Sequence, residues 1–155
     1  MQNISAGGMS DVVKASQTFP QGFVFTDYAS DADPFDIPAV QIAQAEMNAN
    51  GQMVVWNSPT PIQVVINAIP GSEGDENLQI IFEANRMASG KRIAGDIITI
   101  VHTYANGATA TFSRGVMTNG LPGLSSASAG RHKSKAYTFM FEGFAYVRGN
   151  NQVGA

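Results

Sequence analysis

Few side chains in this sequence could do chemistry, and their spacing fits no catalytic or metal site. The chain has two histidines, His102 and His132, and no cysteine, which removes disulfides, thiolate nucleophiles and thiolate metal ligands. His102 stands in a strand-like pattern beside Ile100 and Tyr104, as a histidine packed in a core does. No nucleophile elbow, phosphate-binding glycine loop or dinucleotide fingerprint occurs in the sequence. We therefore expect a protein that is not an enzyme and that uses no cofactor and no metal.

Two clusters of charged residues are the candidates for a binding role. The first is a run of aspartates whose spacing fits no EF-hand loop and lacks the bidentate glutamate that such a loop needs for Ca²⁺. It is therefore read as a solvated acidic loop or as one face of a subunit contact. The second is a short basic run without an interleaved aromatic residue, which is only a weak indication of nucleic-acid binding. We interpret it as a contact with acidic residues of a neighbouring subunit. The candidate interface residues are Asp31, Asp33, Asp36, Arg131, Lys133 and Lys135.

The distribution of charge along the chain is also compatible with a contact between subunits. Residues 1–83 hold ten acids and one base, whereas residues 84–155 hold eight bases and two acids. Either these opposite charges pair inside one fold, or one face of a subunit meets the opposite face of the next, and such head-to-tail contacts close into rings or grow into filaments. Only 14% of the residues are charged, against roughly 25% in typical domains, and an uncharged polar surface costs less to desolvate against a partner.

The elements that would position these residues are mostly strands of one domain, residues 1–155. Alternating apolar residues predict a strand over 62–69, and the Asn-Gly pairs at 50–51 and 106–107 predict two hairpins. Residues 1–20 read as an extended N-terminal arm and 119–134 as a long loop. One helix is predicted over about residues 73–88, with Ser72 as its N-cap. The expected fold is mainly β, an antiparallel β-sandwich or partly closed barrel with one flanking α-helix. Further strand patterns cover residues 22–29, 39–48, 52–56, 97–104, 108–117 and 137–147.

The hydropathy of the chain argues against a membrane protein. No segment has 18 consecutive apolar residues, and the first ten residues lack the basic and apolar regions of a secretory signal. We therefore expect no membrane insertion and assembly in the cytoplasm.

Three segments resemble the tail tube proteins of contractile-tail bacteriophages. Residues 53–58 and 62–69 look like the central hairpin of that family, joined by a turn that carries prolines. Residues 70–73 then lead into 77–85, which resemble its single helix. At the end of the chain, a glycine-rich loop followed by residues 137–142 is similar to the strand that closes the tube domain.

This resemblance implies a structural virion protein that is located in the tail and assembled in the host cytoplasm. Its subunits would form hexameric rings that stack into a tail tube, the conduit for DNA ejection. The implied partners are copies of the chain itself and the tail sheath and baseplate proteins, and DNA would pass through without specific binding. A specialised baseplate or tube-terminating ring protein of the same fold is an alternative. A monomeric β-barrel that binds a small ligand is an alternative of a different class.

Overall fold

The computed structural model describes residues 8–29, 33–123 and 134–148, and these ranges contain nine strands and one helix. The strands and the helix account for most of the described residues, and strands predominate, so the prediction of a mainly β fold with one helix is confirmed. In chain order the elements are β1 (Ser10–Ala15), β2 (Phe19–Phe25), β3 (Phe35–Asp36), β4 (Ala43–Met47), β5 (Met53–Asn57), β6 (Ile62–Ala68), α1 (Glu73–Asn85), β7 (Ile98–Thr103), β8 (Thr109–Asn119) and β9 (Lys135–Val147).

Seven of the strands form one antiparallel sheet in the order β2-β1-β7-β8-β9-β6-β3, and β4 and β5 pair separately. Within the described ranges the seven strands do not close into a barrel. The sheet is nevertheless strongly bent. Phe35 of β3 stacks on His102 of β7 with ring centroids 3.8 Å apart, although three strands separate β3 from β7 in the sheet. The bend lets two parts of one sheet face each other across a core, as the layers of a sandwich do.

Side-chain alternation along the strands builds this core, because successive residues of a strand point to opposite faces. Leu78 and Ile81 of the helix are fully buried against the inner face of the sheet. Gly115 of β8 leaves room for the Phe141 ring, because a Cβ there would overlap that ring and would also lie only 2.7 Å from the carbonyl oxygen of Met140. The other large, fully buried apolar side chains are Phe25, Ile66, Ile98, Ile100, Phe112, Tyr137 and Phe139.

The helix begins where the sequence predicts and ends three residues early. The hydroxyl of Ser72 accepts a hydrogen bond from the amide of Asp75 at 3.2 Å, so the predicted N-cap is confirmed. The helix ends at Asn85 because Arg86 adopts extended backbone angles. The amide side chain of Asn85 donates to Asp96 at 2.8 Å, which ties the end of the helix to the segment that leads into β7.

The prediction of an extended N-terminal arm over residues 1–20 is wrong from Ser10 onwards, because β1 belongs to the large sheet. β1 pairs with both β2 and β7, and its inward residues Asp11, Val13 and Ala15 are fully buried. The buried Asp11 interrupts the apolar alternation by which a strand is recognised, so the sequence pattern does not predict this strand. The predicted strand at 22–29 begins earlier, at Phe19, and ends at Phe25. Residues 1–7 and most of the predicted 119–134 loop lie outside the described residues, and β8 continues to Asn119.

Candidate assembly surfaces and buried polar clusters

The β4–β5 hairpin is formed by local sequence signals. The side-chain oxygen of Asn48 accepts hydrogen bonds from the amides of Asn50 and Gln52, at 3.0 and 2.9 Å. Gly51 has φ of 80°, which glycine adopts without strain. The Asn-Gly hairpin predicted at 50–51 is thus confirmed, and so is the one at 106–107, where Asn106 and Gly107 connect β7 to β8. All ten residues of β4 and β5 are exposed.

The two faces of this hairpin differ in character. Residues directly opposite each other in an antiparallel pair lie on the same face, and Met47 pairs with Met53 and Ala45 with Val55. This face, with Ala43 at its base, is apolar along almost its whole length, and the exposed fractions of Met47, Met53 and Val55 are 66%, 66% and 51%. We call it the hairpin face, consisting of Ala43, Ala45, Met47, Met53 and Val55. The opposite face consists of Gln44, Glu46, Val54 and Trp56.

A second exposed apolar surface lies where β9 ends. Phe144 pairs with the buried Phe112, with ring centroids 5.1 Å apart, and Tyr146 lies 6.1 Å from Tyr104. The aromatic side chains of the core therefore continue to the surface, where Phe144 and Tyr146 are about half exposed. We call this surface the aromatic end, consisting of Tyr104, Phe144 and Tyr146. Val147 pairs with Thr109 and lies on the opposite face of the sheet. The exposed Arg148 follows it directly.

The outer face of the large sheet, opposite the helix, carries few charges. Its charged side chains in the described strands are Lys14 near one edge, Asp36 at the other, and Arg114 and Glu142, which pair at 3.3 Å. The rest of this face consists of hydroxyl, amide and apolar side chains. They include Ser10, Val12, Gln63, Val65, Asn67, Thr99, Val101, Thr103, Thr109, Thr111, Thr138 and Met140.

The predicted acidic part of the subunit interface lies near the β3 edge of the sheet. Asp33 and Asp36 are exposed, and the main-chain oxygen of Asp33 accepts a hydrogen bond from the Asn67 side chain at 2.6 Å. Asp31 lies outside the described residues. Asp27, which stands four residues before Asp31, has a different role, because its carboxylate accepts a hydrogen bond from the amide of Gly74 at 3.0 Å in the first turn of the helix.

The predicted basic part of the interface needs a correction at Lys135. This residue is the first of β9, and its side chain is fully buried. Its ammonium lies 3.1 Å from Oδ1 of Asp75 and donates to Gln79 at 2.9 Å, while the Tyr137 hydroxyl donates to the same Asp75 oxygen at 2.8 Å. Lys135 therefore fastens the helix to β9 within one subunit and does not belong to an exposed loop. Arg131 and Lys133 lie outside the described residues, and their role in an interface stays a prediction.

Opposite charges from the two halves of the sequence also meet inside the fold. Asp75 pairs with Lys135, and Glu83 lies 3.4 Å from Arg86 and 3.6 Å from Lys91. For these residues the reading of the charge asymmetry as internal pairing is the correct one.

His102 belongs to a buried polar cluster, which confirms that it is packed in the core. Its Nδ1 atom lies 2.8 Å from Oδ1 of Asp11, and both side chains are fully buried. The hydroxyl of Tyr28 donates to the other carboxylate oxygen of Asp11. Burial, and after it the charge of Asp11, raises the pKa of Tyr28 well above its ordinary value, so the phenol remains a donor. Nε2 of His102 has no hydrogen-bond partner among the described residues.

A third carboxylate, Asp96, joins three parts of the chain. It accepts hydrogen bonds from the amides of Gln17 and Thr18, at 2.7 and 2.9 Å, from the Thr18 hydroxyl and from Asn85. Burial acts to raise the pKa of Asp96, but the hydrogen bonds from Thr18, Asn85 and Gln17 outweigh it, and the pKa lies below the ordinary value.

Replacing Asp96 by asparagine is expected to destabilise the fold by about 1.5–3 kcal/mol at pH 7, the range for hydrogen bonds to a charged group. The new NH2 group would face the amide donor of Asn85. Because the folded pKa is depressed, the contribution of Asp96 is present above about pH 4 and is lost as the pH falls through the folded pKa. Urea unfolding at pH 7 and pH 3 measures this difference. If the difference in free energy of unfolding between wild type and variant were as large at pH 3 as at pH 7, the hydrogen-bonding role assigned to Asp96 would be contradicted.

In the described part of the chain, no group of three or more His, Cys, Asp or Glu side chains is placed to hold a metal ion.

The one helix in the described ranges is too short and too polar to cross a membrane.

Comparison with known proteins assigns the family. The family model described as tail fiber protein gp32 matches residues 2–145, which is nearly the whole chain. The chain belongs to the tail fiber protein gp32 family. A search of curated proteins gives no significant match.

The fold of this family member resembles that of a protein from an extracellular contractile injection system. With 13% identity and a TM-score of 0.54, it superposes on the PVC sheath/tube terminator in the extended state, over 96% of this chain and 99% of that chain. The tube-terminating cap of the anti-feeding prophage (13% identity, TM-score 0.46, 94% and 93% covered) and the PVC sheath-tube complex (14%, 0.45, 88% and 86%) are weaker matches. The first likeness shows a shared fold, and the other two add nothing to it.

The surfaces that stand out in this gp32-family fold are not the ones that the sequence predicts. The sequence gives a signal for the hairpin face, because Met53, Val54, Val55 and Trp56 form an unbroken apolar run. Such a run predicts a strand buried on both sides, and only the structure shows that it is exposed. The aromatic end gives no clear signal, because Phe144 and Tyr146 are out of step with the alternation of the buried Tyr137, Phe139 and Phe141 and yet lie on the face of the buried Phe112.

Proposed function

We propose that this chain is a non-catalytic structural subunit that associates with copies of itself into rings on the axis of a contractile phage tail. The rings form the tail tube, through which DNA is ejected. The observation that carries the proposal is the β4–β5 hairpin, which stands outside the core and is exposed on both faces. Membership of a tail protein family supports it.

An exposed hairpin of this composition indicates a partner. A two-stranded hairpin alone is marginally stable in water, and contiguous exposed apolar surface marks an interaction site. Burying a Met or Val side chain fully gains about 1.5–3 kcal/mol, so several side chains of the hairpin together contribute substantially to an association. A ring gives every subunit the same contact and leaves no hairpin uncovered.

The outer face of the sheet supports the role as a conduit. Proteins bind DNA mainly by placing Lys and Arg against its phosphates. On this face Arg114 is paired with Glu142, and Lys14 lies near an edge. A lumen lined by such a surface of Thr, Ser and Val would let DNA pass without holding it.

A ring at the end of the tube is the second candidate. The fold likeness to a sheath/tube terminator over nearly the whole of both chains favours it. In both cases we propose a hexameric ring with the tail sheath and the baseplate as neighbours, located in the virion tail and assembled in the host cytoplasm.

The purified protein is expected to form rings or rods as its concentration is raised. Sedimentation velocity over a concentration series, followed by negative-stain electron microscopy, tests this. Stacked rods support a repeating tube subunit, and single rings support a terminator. A monomer at millimolar concentration contradicts the proposal.

A further inference from the structure

We propose that β5 of one subunit adds as a strand to β9 of the next copy of this chain, along the part of β9 that β6 leaves uncovered. The inference rests on the proposed function, because it names the backbone contact through which the copies associate. β9 pairs with β6 only as far as Phe141, which lies opposite Ile62. Residues 143–147, the open part of β9, pair with β8 on one side and with no described strand on the other. Unpaired backbone groups at such an edge are a template for another strand.

The two outer edges of the large sheet are protected against such pairing. β2 contains Pro20, which has no amide to donate, and its pairing with β1 is irregular near Gly22, whose φ is 79°. β3 is only two residues long. Natural sheets block their edges in these ways. The open part of β9 lacks this protection, because it contains no proline and no charged residue.

β5 has the composition of a strand that is buried on both faces. Residues 53–56 are Met-Val-Val-Trp, an unbroken apolar run of the kind that occurs in the middle of a sheet. In the subunit, however, each of these four side chains is at least 41% exposed, and β5 pairs only with β4 among the described strands. β5 has five residues, as many as the open part of β9. Its composition and length therefore fit that place in a sheet.

The connection between β5 and β6 explains why β5 does not fill this place in its own subunit. A straight extension of β6 before Ile62 would run along the open part of β9. Pro59 and Pro61 lie in the connection and lack the amides that a continuous ladder needs, and β5 does not pair with β9 of the same chain. Each subunit thus has one strand without a sheet and one sheet edge without a strand. A second copy supplies both, as when protomers exchange an identical element.

The alternation of hydrogen bonds leaves the backbone groups of Val55 free on β5. In an antiparallel pair, residues that exchange hydrogen bonds with their partner alternate with residues that point away from it. At the end of the β4–β5 hairpin the amide of Asn48 donates to the carbonyl of Gln52 at 2.8 Å. Counted from this pair, Val54 and Trp56 bond to β4, whereas Val55 turns its amide and its carbonyl to the free edge of β5.

The same alternation leaves Phe144 and Tyr146 free on β9. The amide of Tyr104 closes the turn between β7 and β8 with a hydrogen bond of 2.9 Å. Counted from this bond, Thr109 of β8 turns towards its partner Val147 in β9. The amides and carbonyls of Phe144 and Tyr146 therefore face the open edge.

Pairing between these two edges also determines which faces meet. Residues directly opposite each other share a face, so Met53 and Val55 join the face that carries Phe144 and Tyr146. The apolar hairpin face then continues the core side of the large sheet, where thioether sulfur makes favourable contacts with aromatic rings. Glu46 belongs to the other face of the hairpin, so its carboxylate stays on the outer side of the sheet and no charge of the hairpin is buried.

This contact joins two different strands, so it is heterologous. Each subunit gives β5 to one neighbour and receives a strand on β9 from the other. A contact of this kind does not saturate at a dimer but closes into a ring or continues as a filament.

The first test removes one amide from each edge of the hairpin. Val55→Pro takes away an amide that faces the open β9 edge and leaves the hydrogen bonds to β4 intact. It is expected to raise the concentration needed for assembly at least about tenfold in sedimentation velocity. Ala45→Pro is the matched control, because Ala45 is the partner of Val55 and its amide faces the free edge of β4. It is expected to assemble as the wild type does, and thermal unfolding checks that both variants fold.

Disulfide cross-linking gives a second readout that does not depend on proline. The chain has no cysteine, and hydrogen-bonded opposite residues lie about 5.5 Å apart between Cα atoms, within the reach of a disulfide. A Val55→Cys protein, mixed with a Phe144→Cys or a Tyr146→Cys protein and oxidised, is expected to form covalent heterodimers with the variant that lies opposite. Ala145→Cys, on the other face of β9, is the matched control and is expected to cross-link at least about tenfold less.

The outcomes separate this contact from the proposed function. Equal effects of the two prolines, no heterodimer with either aromatic position, or a preference of Val55→Cys for Ala145→Cys overturns the contact and leaves the proposed function standing. A wild type that never assembles overturns both.

Discussion

Replacing Lys135 by methionine is expected to lower the free energy of unfolding by about 3–5 kcal/mol, the usual cost of removing one partner of a buried ion pair. The variant leaves the Asp75 carboxylate buried without its cation, with hydrogen bonds from Tyr137 and from the amide of Gly71 as its remaining support. Gln79 also loses the ammonium that it binds. Urea unfolding at pH 7, at a concentration where the protein is monomeric, measures the loss.

The second partner and a surface lysine provide the controls for this prediction. Asp75→Asn combined with Lys135→Met keeps an oxygen acceptor for Tyr137 and removes the uncompensated charge, so the double variant is expected to be more stable than Lys135→Met alone. Lys91→Met removes a lysine from a partly exposed pair with Glu83 and is expected to cost less than about 1 kcal/mol. Equal losses at Lys91 and Lys135 would contradict the assigned role of the buried pair.

This result bears on any test of the assembly interface. A charge reversal that included Lys135 would destabilise the subunit itself, and a loss of assembly would then say nothing about Arg131 and Lys133. A variant limited to Arg131 and Lys133 avoids that problem. Lys135 is the first residue of β9 and is fully buried, whereas Arg131 and Lys133 precede β9 in the sequence. The two surface candidates can therefore be varied without changing Lys135.

The parts of the fold that sequence patterns predict are those that short-range interactions determine. Ser72 caps its helix through an amide three residues away, and Asn48 and Gly51 make the hairpin turn within four residues. The strand β6 shows its alternation without interruption, so it too is visible in the sequence. These signals do not depend on where the rest of the chain lies.

The missed features depend on partners that are distant in sequence. From the sequence, Asp11 would be a surface residue, but in the structure it contacts His102, which is 91 positions away. Lys135 would likewise belong to a basic loop, but in the structure its ammonium pairs with the carboxylate of Asp75. A polar residue in a strand thus obscures the strand when its partner comes from another element, and for this reason the sequence pattern does not predict β1.

The candidate assembly surface was missed for a related reason. The run from Met53 to Trp56 shows a strand, but strand patterns do not reveal whether a strand joins the main sheet or stands apart from it. β5 pairs only with β4 in the described residues, and its apolar side chains are exposed for that reason. The exposure of a strand depends on which other strands pair with it and pack against it. The hairpin is a candidate for assembly because the seven-stranded sheet does not include β4 and β5.

Replacing Asp11 by alanine is expected to destabilise the subunit by about 2–6 kcal/mol, since one fully buried and one partly buried donor lose their acceptor at about 1–3 kcal/mol each. These donors are Nδ1–H of His102 and the hydroxyl of Tyr28. Asp11→Ala with Tyr28→Phe removes one of the orphaned donors and is expected to be less destabilised than the sum of the single variants. Asp36→Ala, at an exposed edge, should stay within about 0.5 kcal/mol of the wild type. Additive losses from Asp11→Ala and Tyr28→Phe in urea unfolding would show that the two residues act separately.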